Sequence, residues 1–266
     1  MKNRNSSEVS IINNAINAKI RAMSGRLLKE HDYKMLSSLT THRAMAAGLR
    51  CFPAYSSLEG ETGEAVCQGV LKLLQNEYIR VWAFIRSSQG MDYRMHLPAI
   101  AYPAFCGAGI SGFVLSWKHI KAIKDKTGRE ALLFIKGTEI DLHNIMRVYR
   151  LKKYHNISGG AAYPYLIPIH FKLSEAALGR FAEATAHLEA SFEASLEKTP
   201  YAAVFGEFDN LKNDYFRAMV RYMIVAARRW PSSEAVVVFR YFFRKAMEAE
   251  KIIAIAEALY CRGIYG

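Results

Sequence analysis

The sequence predicts an all-α fold. Apolar residues recur at the 3.6-residue repeat in every segment whose period is clear, turn residues separate those segments, and nothing alternates strand with helix as a parallel sheet requires. With 266 residues and 51% hydrophobic content, the chain can bury one large core or several small ones.

Ile12, Ile16, Ile20, Met23 and Leu27 lie on one helical face, so the first element is an amphipathic helix from about 10 to 29. Residues 32–39 and 41–50 read as short helices ending before Pro53, and 64–86 as a longer one. Residues 95–117 hold no Lys, Arg, Asp or Glu, which on length alone raises a membrane span. Pro98, Pro103, Gly107, Gly109 and Gly112 break that run, and a lipid-exposed break strands backbone groups, so a buried turn between helices is expected instead. Helix resumes at Trp117–Lys126, turns at Thr127-Gly128, and residues 129–136 lead into a central helix closed by Ser158-Gly159-Gly160. Pro164 and Pro168 keep the next stretch extended, and Ser174 opens a helix to about 196, stopped by Lys198-Thr199-Pro200-Tyr201. A basic helix over 215–229 follows. The last element, with Phe239, Phe242, Phe243 and Ala246 and then Ile252, Ile253, Ile255 and Leu259, is apolar on so many sides that it must pack among neighbours.

The central helix, residues 138–153, is the best specified. Thr138 follows Gly137 and starts a Thr-x-x-Asp pattern, so it is expected to be the N-cap, with Glu139 and Asp141 at the positive end of the dipole and Arg150, Lys152 and Lys153 at the negative end. Leu142, Ile145, Met146 and Tyr149 form one apolar stripe. Glu139, Asp141, Arg147 and Arg150 form either a buried charge network or a partner-binding face, unless they are ordinary surface charges worth a few tenths of a kcal/mol each. His143 and His155 read as polar surface or cap residues.

The stretch Gly137-Thr138-Glu139-Ile140-Asp141, with Asn144-Ile145 and Arg150-Leu151-Lys152-Lys153-Tyr154, resembles the central motif of the stalk subunit lettered C in V-type and A-type rotary ATPases and d in eukaryotes. Trp117–Ile123 upstream, and Leu166-Ile167-Pro168 with Lys172-Leu173-Ser174 downstream, are similar to the flanks of that motif. Asn17–Met23 with Arg26-Leu27-Leu28 is similar to the family's opening helix. The resemblance implies three pseudo-repeated helical bundles forming a hollow wedge or funnel, divided here as 1–115, 116–200 and 201–266. An offset of 107 residues, which sets Asp141, Ile145, Val148, Leu151 and Ile157 on Glu248, Ile252, Ile255, Ala258 and Ile264, is a faint repeat in agreement. The resemblance to that family also implies a non-catalytic adapter on the cytoplasmic face of a membrane, joining the rotor ring to the central shaft subunits. Membrane association would then come only through the complex. Its structural or partner candidates are Arg21, Arg26, Glu139, Asp141, Asn144, Arg147, Arg150, Lys152 and Glu248. The first repeat departs from the family's more polar pattern, and Lys245-Ala246 with Lys251 stands where the last repeat usually has a Lys-Glu pair and an Asn.

Other chemistry is poorly represented. No His-Glu-x-x-His, Gly-x-Ser-x-Gly or Gly-x-x-x-x-Gly-Lys-Ser/Thr pattern occurs, so no catalytic residue, cofactor or metal is expected. Cys51, Cys67, Cys106 and Cys261 are too far apart in sequence to suggest a zinc site or a disulfide framework, and the basic N-terminus lacks the apolar run of a signal peptide. The net charge of +12 would attract nucleic acid, anionic lipid or an acidic partner, but the basic residues do not interleave with aromatic platforms, so a basic helical nucleic-acid binder is the weaker alternative. Gly107-Ala108-Gly109-Ile110-Ser111-Gly112 matches a dinucleotide fingerprint with Asp125 downstream, yet the prolines before it interrupt the strand such a site needs.

Overall fold

The computed structural model describes residues 14–87, 109–157, 159–183, 194–197, 199–202, 211–231 and 233–265. Along the chain lie α1 (14–24), α2 (Glu30–Ser38), α3 (His42–Arg50), α4 (Gly63–Ser87), α5 (Ile110–Ala122), α6 (Lys126–His155), a 3-10 helix (Gly159–Tyr165), α7 (Glu175–Glu183), α8 (Leu211–Arg229) and α9 (Glu234–Tyr265). There is no strand among the described residues, as the periodicity predicts. The chain divides into two compact units, one of Met1–Gly90 with Tyr241–Gly266, the other of Met91–Arg240.

In the first unit, Ile16 and Ile20 of α1, Leu36 of α2 and Leu49 of α3 are buried, and Thr41 caps α3 by accepting the amide of Ala44. Tyr78 and Trp82 of α4 enclose Phe242 of α9, with ring centroids 5.1 and 5.6 Å from it. Fully burying one such side chain contributes about 1.5–3 kcal/mol, against at most about 1 kcal/mol for an exposed ion pair. The interior therefore outweighs surface pairs such as Arg43–Glu61 in holding this unit together.

In the second unit α6 packs with α5, α7 and α8, and it is buried on nearly every face. The expected stripe Leu142, Ile145, Met146 and Tyr149 is inside, but so are Lys136, Thr138, Glu139, Asp141 and Asn144. On a helix buried all round polar groups favour partners, and Lys136, Glu139, Asp141 and Asn144 each find one, although Glu139 Oε1 is left without; that concentration makes α6 the chemical centre of the unit.

Several local expectations are corrected. The central helix starts at Lys126, not at Thr138: Asp125 is the N-cap and its carboxylate accepts the amide of Gly128 at 2.7 Å. Thr127-Gly128 therefore sits in the first turn, and the chain breaks earlier, where Ile123 is extended after α5. Thr138, Glu139 and Asp141 lie mid-helix, away from the dipole's positive end. The helix closes on Asn156 in the left-handed conformation, before Ser158-Gly159-Gly160, and Pro164 is accommodated in a 3-10 helix. Ser174 does cap α7, accepting the amide of Ala177. The ends of the expected helices at 10–13 and 184–193, residues 95–108 of the uncharged run, and Gly107 and Ala108 of the glycine fingerprint lie outside the described residues. Gly109 to Gly112 form the start of α5, with no strand before them among the described residues. No described helix is long and apolar enough to cross a membrane.

Candidate functional site

Successive turns of α6 read the backbone of the segment that follows it. Arg147 donates through Nη1 to the carbonyl of Tyr165 at 2.9 Å. One turn back, Asn144 makes a paired contact with Ile167, its Nδ2 donating to the carbonyl (2.9 Å) and its Oδ1 accepting the amide (2.8 Å). One turn further, Asp141 accepts the amides of Phe171 (3.2 Å), Lys172 (2.8 Å) and Leu173 (3.0 Å) and the hydroxyl of Tyr201 (2.7 Å). Spacing of three residues puts these side chains on one face, and the loop runs antiparallel to it. Burial raises the Asp141 carboxyl above its ordinary value, while the Tyr201 hydroxyl and the three amides pull it back. The same burial, beside that carboxylate, raises Tyr201.

Gly137 lets this loop come close. A Cβ there would lie 2.3 Å from Cγ of Phe171, so the glycine is a clearance for a ring and not a helix boundary. Beside it, Lys136 and Glu139 form a buried pair at 2.7 Å, with the Lys136 ammonium 5.2 Å from the centroid of Phe113. Burial lowers Lys136 and raises Glu139, and each partner opposes the shift of the other. His143, expected near the surface, packs between the rings of Phe113 and Tyr215 at 5.0 and 4.8 Å. Burial first, then Arg147, Lys136 and Arg150, push its pKa down to about 3, so at neutral pH it is an uncharged aromatic.

A second station lies on α9 within the first unit. Glu248 accepts the amide of Leu28 through Oε2 at 2.6 Å, and through Oε1 the hydroxyl of Tyr55 at 2.6 Å and the ammonium of Lys245. Lys245 also donates to the Tyr55 oxygen at 3.1 Å and stands 4.4 Å from that ring's centroid. Burial, then Glu248, raises Tyr55. Two turns on, the carbonyl of Ala256 accepts from Nε2 of His42 at 2.9 Å, which fixes the proton on that nitrogen.

Of the residues singled out in the sequence, Asp141, Asn144 and Arg147 act together on one loop, Glu139 is paired separately, and Glu248 serves the other unit. Lys152 donates to the carbonyl of Phe181 at 3.0 Å, whereas Arg150, Arg21 and Arg26 are exposed. Asp125, which lies downstream of the glycine fingerprint, is a helix cap. Lys136, Lys245, Tyr55 and Tyr201 escape a reading of the sequence alone. A lysine three residues before a glutamate within an apolar helical stretch, seen twice, is the available signal for the lysines; nothing local marks the tyrosines. Among the described residues there is no cluster of acids, histidines or cysteines able to hold a metal ion.

Both stations spend their carboxylates on backbone amides. No curated protein matches the chain. A family model for the ATP synthase (C/AC39) subunit matches residues 116–262, more than half of the chain, and that span contains both Asp141 and Glu248. The chain thus belongs to the C/AC39 family of V-type and A-type rotary ATPase subunits, lettered d in eukaryotes.

Proposed function

We propose that this chain is the non-catalytic central-stalk adapter of a V/A-type rotary ATPase, joining the membrane rotor ring to the central shaft subunits on the cytoplasmic side. The family match over residues 116–262 carries this reading. The stations support it, because Asp141 and Glu248 are spent on holding loops and Glu139 on neutralising a buried lysine, duties that suit a part which transmits torque. In this reading the division into units of 1–115, 116–200 and 201–266 reflects repeated helical bundles around a hollow wedge. The likeness between the stations on α6 and α9, and the 107-residue offset from Asp141 to Glu248, support that repetition. The +12 charge would add a salt-sensitive component to attachment.

The test is paired ATP hydrolysis and ion-pumping assays on complexes assembled with and without the chain. Hydrolysis by the soluble head should persist without it, while pumping is lost and the head detaches more readily. Normal pumping in its absence, or loss of hydrolysis by the isolated head, would overturn the adapter reading.

A further inference from the structure

We propose that a cavity of about 380 Å³ in the first unit binds a small phosphomonoester. Its charged lining is Arg26, Arg80 and Lys245 against one carboxylate, Glu77. The three cations are not equivalent. Lys245 is 3% exposed and shares its charge with Glu248 behind it. Arg80 stands 3.9 Å from Glu77, which also accepts the hydroxyl of Tyr241. Arg26 has no carboxylate within ion-pair distance among the described residues, so the lining holds one uncompensated guanidinium and one that is loosely paired.

Ser57 and Asn76 add uncharged donors to the lining, and their side chains make no hydrogen bond among the described residues. Two guanidinium groups in the lining, with neutral donors, offer more N–H and O–H groups than the two oxygens of a carboxylate can take. A phosphomonoester presents three oxygens and nearly two negative charges, which matches that supply better. Met23, Leu27, Pro53 and Leu73 form an apolar wall, and the volume exceeds what a lone phosphate fills, so the ligand should carry an uncharged body.

Isothermal titration of the full chain with AMP, inorganic phosphate and adenosine tests this. AMP should saturate, inorganic phosphate should displace it at higher concentration, and adenosine should not compete. Arg26→Gln and Arg80→Gln, both exposed side chains whose loss spares the core, should each weaken AMP binding at least tenfold with melting temperature unchanged. Lys34→Gln, an exposed cation outside the lining, should change it less than twofold. Absence of saturation by AMP at millimolar concentration, competition by adenosine, or an equal loss in Lys34→Gln would overturn the proposal.

Discussion

The helices α6 and α9 solve one problem in two ways. Each carries a buried lysine three residues before a buried glutamate, and each holds the backbone of a loop through a carboxylate. On α6 the duties are divided: Glu139 neutralises Lys136, while Asp141 and Asn144 take the loop. On α9 a single residue, Glu248, does both, with the Tyr55 hydroxyl bonded to its carboxylate and to Lys245. Division lets the α6 station keep its loop contacts when Glu139 is lost. Concentration on Glu248 leaves the α9 station with a single point of failure.

The largest expected effect follows from that difference. Removing one partner of a buried ion pair costs about 3–5 kcal/mol, because the remaining charge stays buried and unpaired. Glu139→Ala should cost that much. Glu248→Ala should cost more, since the Tyr55 hydroxyl and Leu28 amide lose their acceptor as well. Chemical denaturation of the two variants checks this, and equal losses would show that the loop contact of Glu248 adds nothing.

Next in size is Gly137→Ala. Helix propensity alone favours alanine by about 1 kcal/mol, but the new Cβ would meet the ring of Phe171, and overpacking of this kind costs about 1–3 kcal/mol. The loop held by Asp141 should loosen, and pairing the change with Phe171→Ala should recover part of the loss. A stabilised Gly137→Ala would mean that the ring moves aside freely. No equivalent effect is expected on α9, where no described glycine faces the Leu28 loop.

The smallest expected effect is in pH dependence. The folded pKa of His143, about 3, lies below its ordinary 6.5, so the unfolded chain binds the extra proton between those values. Stability from burying neutral His143 is therefore present above pH 6.5 and lost as pH falls towards 3. Asp141, raised above its ordinary 3.8, contributes with the opposite sign, its stability present below that value and lost as pH rises through the folded pKa. His143→Gln should flatten the acid limb in unfolding measured from pH 7 to 4. An unchanged limb would place the ring in a solvated site.

The all-α class was legible in the sequence because helical periodicity is local, and so was the motif that contains Asp141 and Asn144, through its family resemblance. What sat in the motif was legible; what it touched was not. Thr138 carried a capping pattern, but a cap needs a free amide, and Asp125 had already begun the helix thirteen residues earlier. Gly137 looked like punctuation because the ring that requires it, Phe171, is 34 residues away in sequence. His143 looked superficial because its neighbours Phe113 and Tyr215 come from other helices. Lys245 stood where the family pattern expects a different pair, and only folding shows that Glu248 supplies its counter-ion.

That each carboxylate holds its own loop is tested most directly by native-state hydrogen exchange at the amides they accept. Asp141→Asn should speed exchange at Phe171, Lys172 and Leu173 while leaving Leu28 protected, and Glu248→Gln should do the reverse. Exchange that stays slow at all four amides in both variants, or that rises together at all four in either one, would contradict the account.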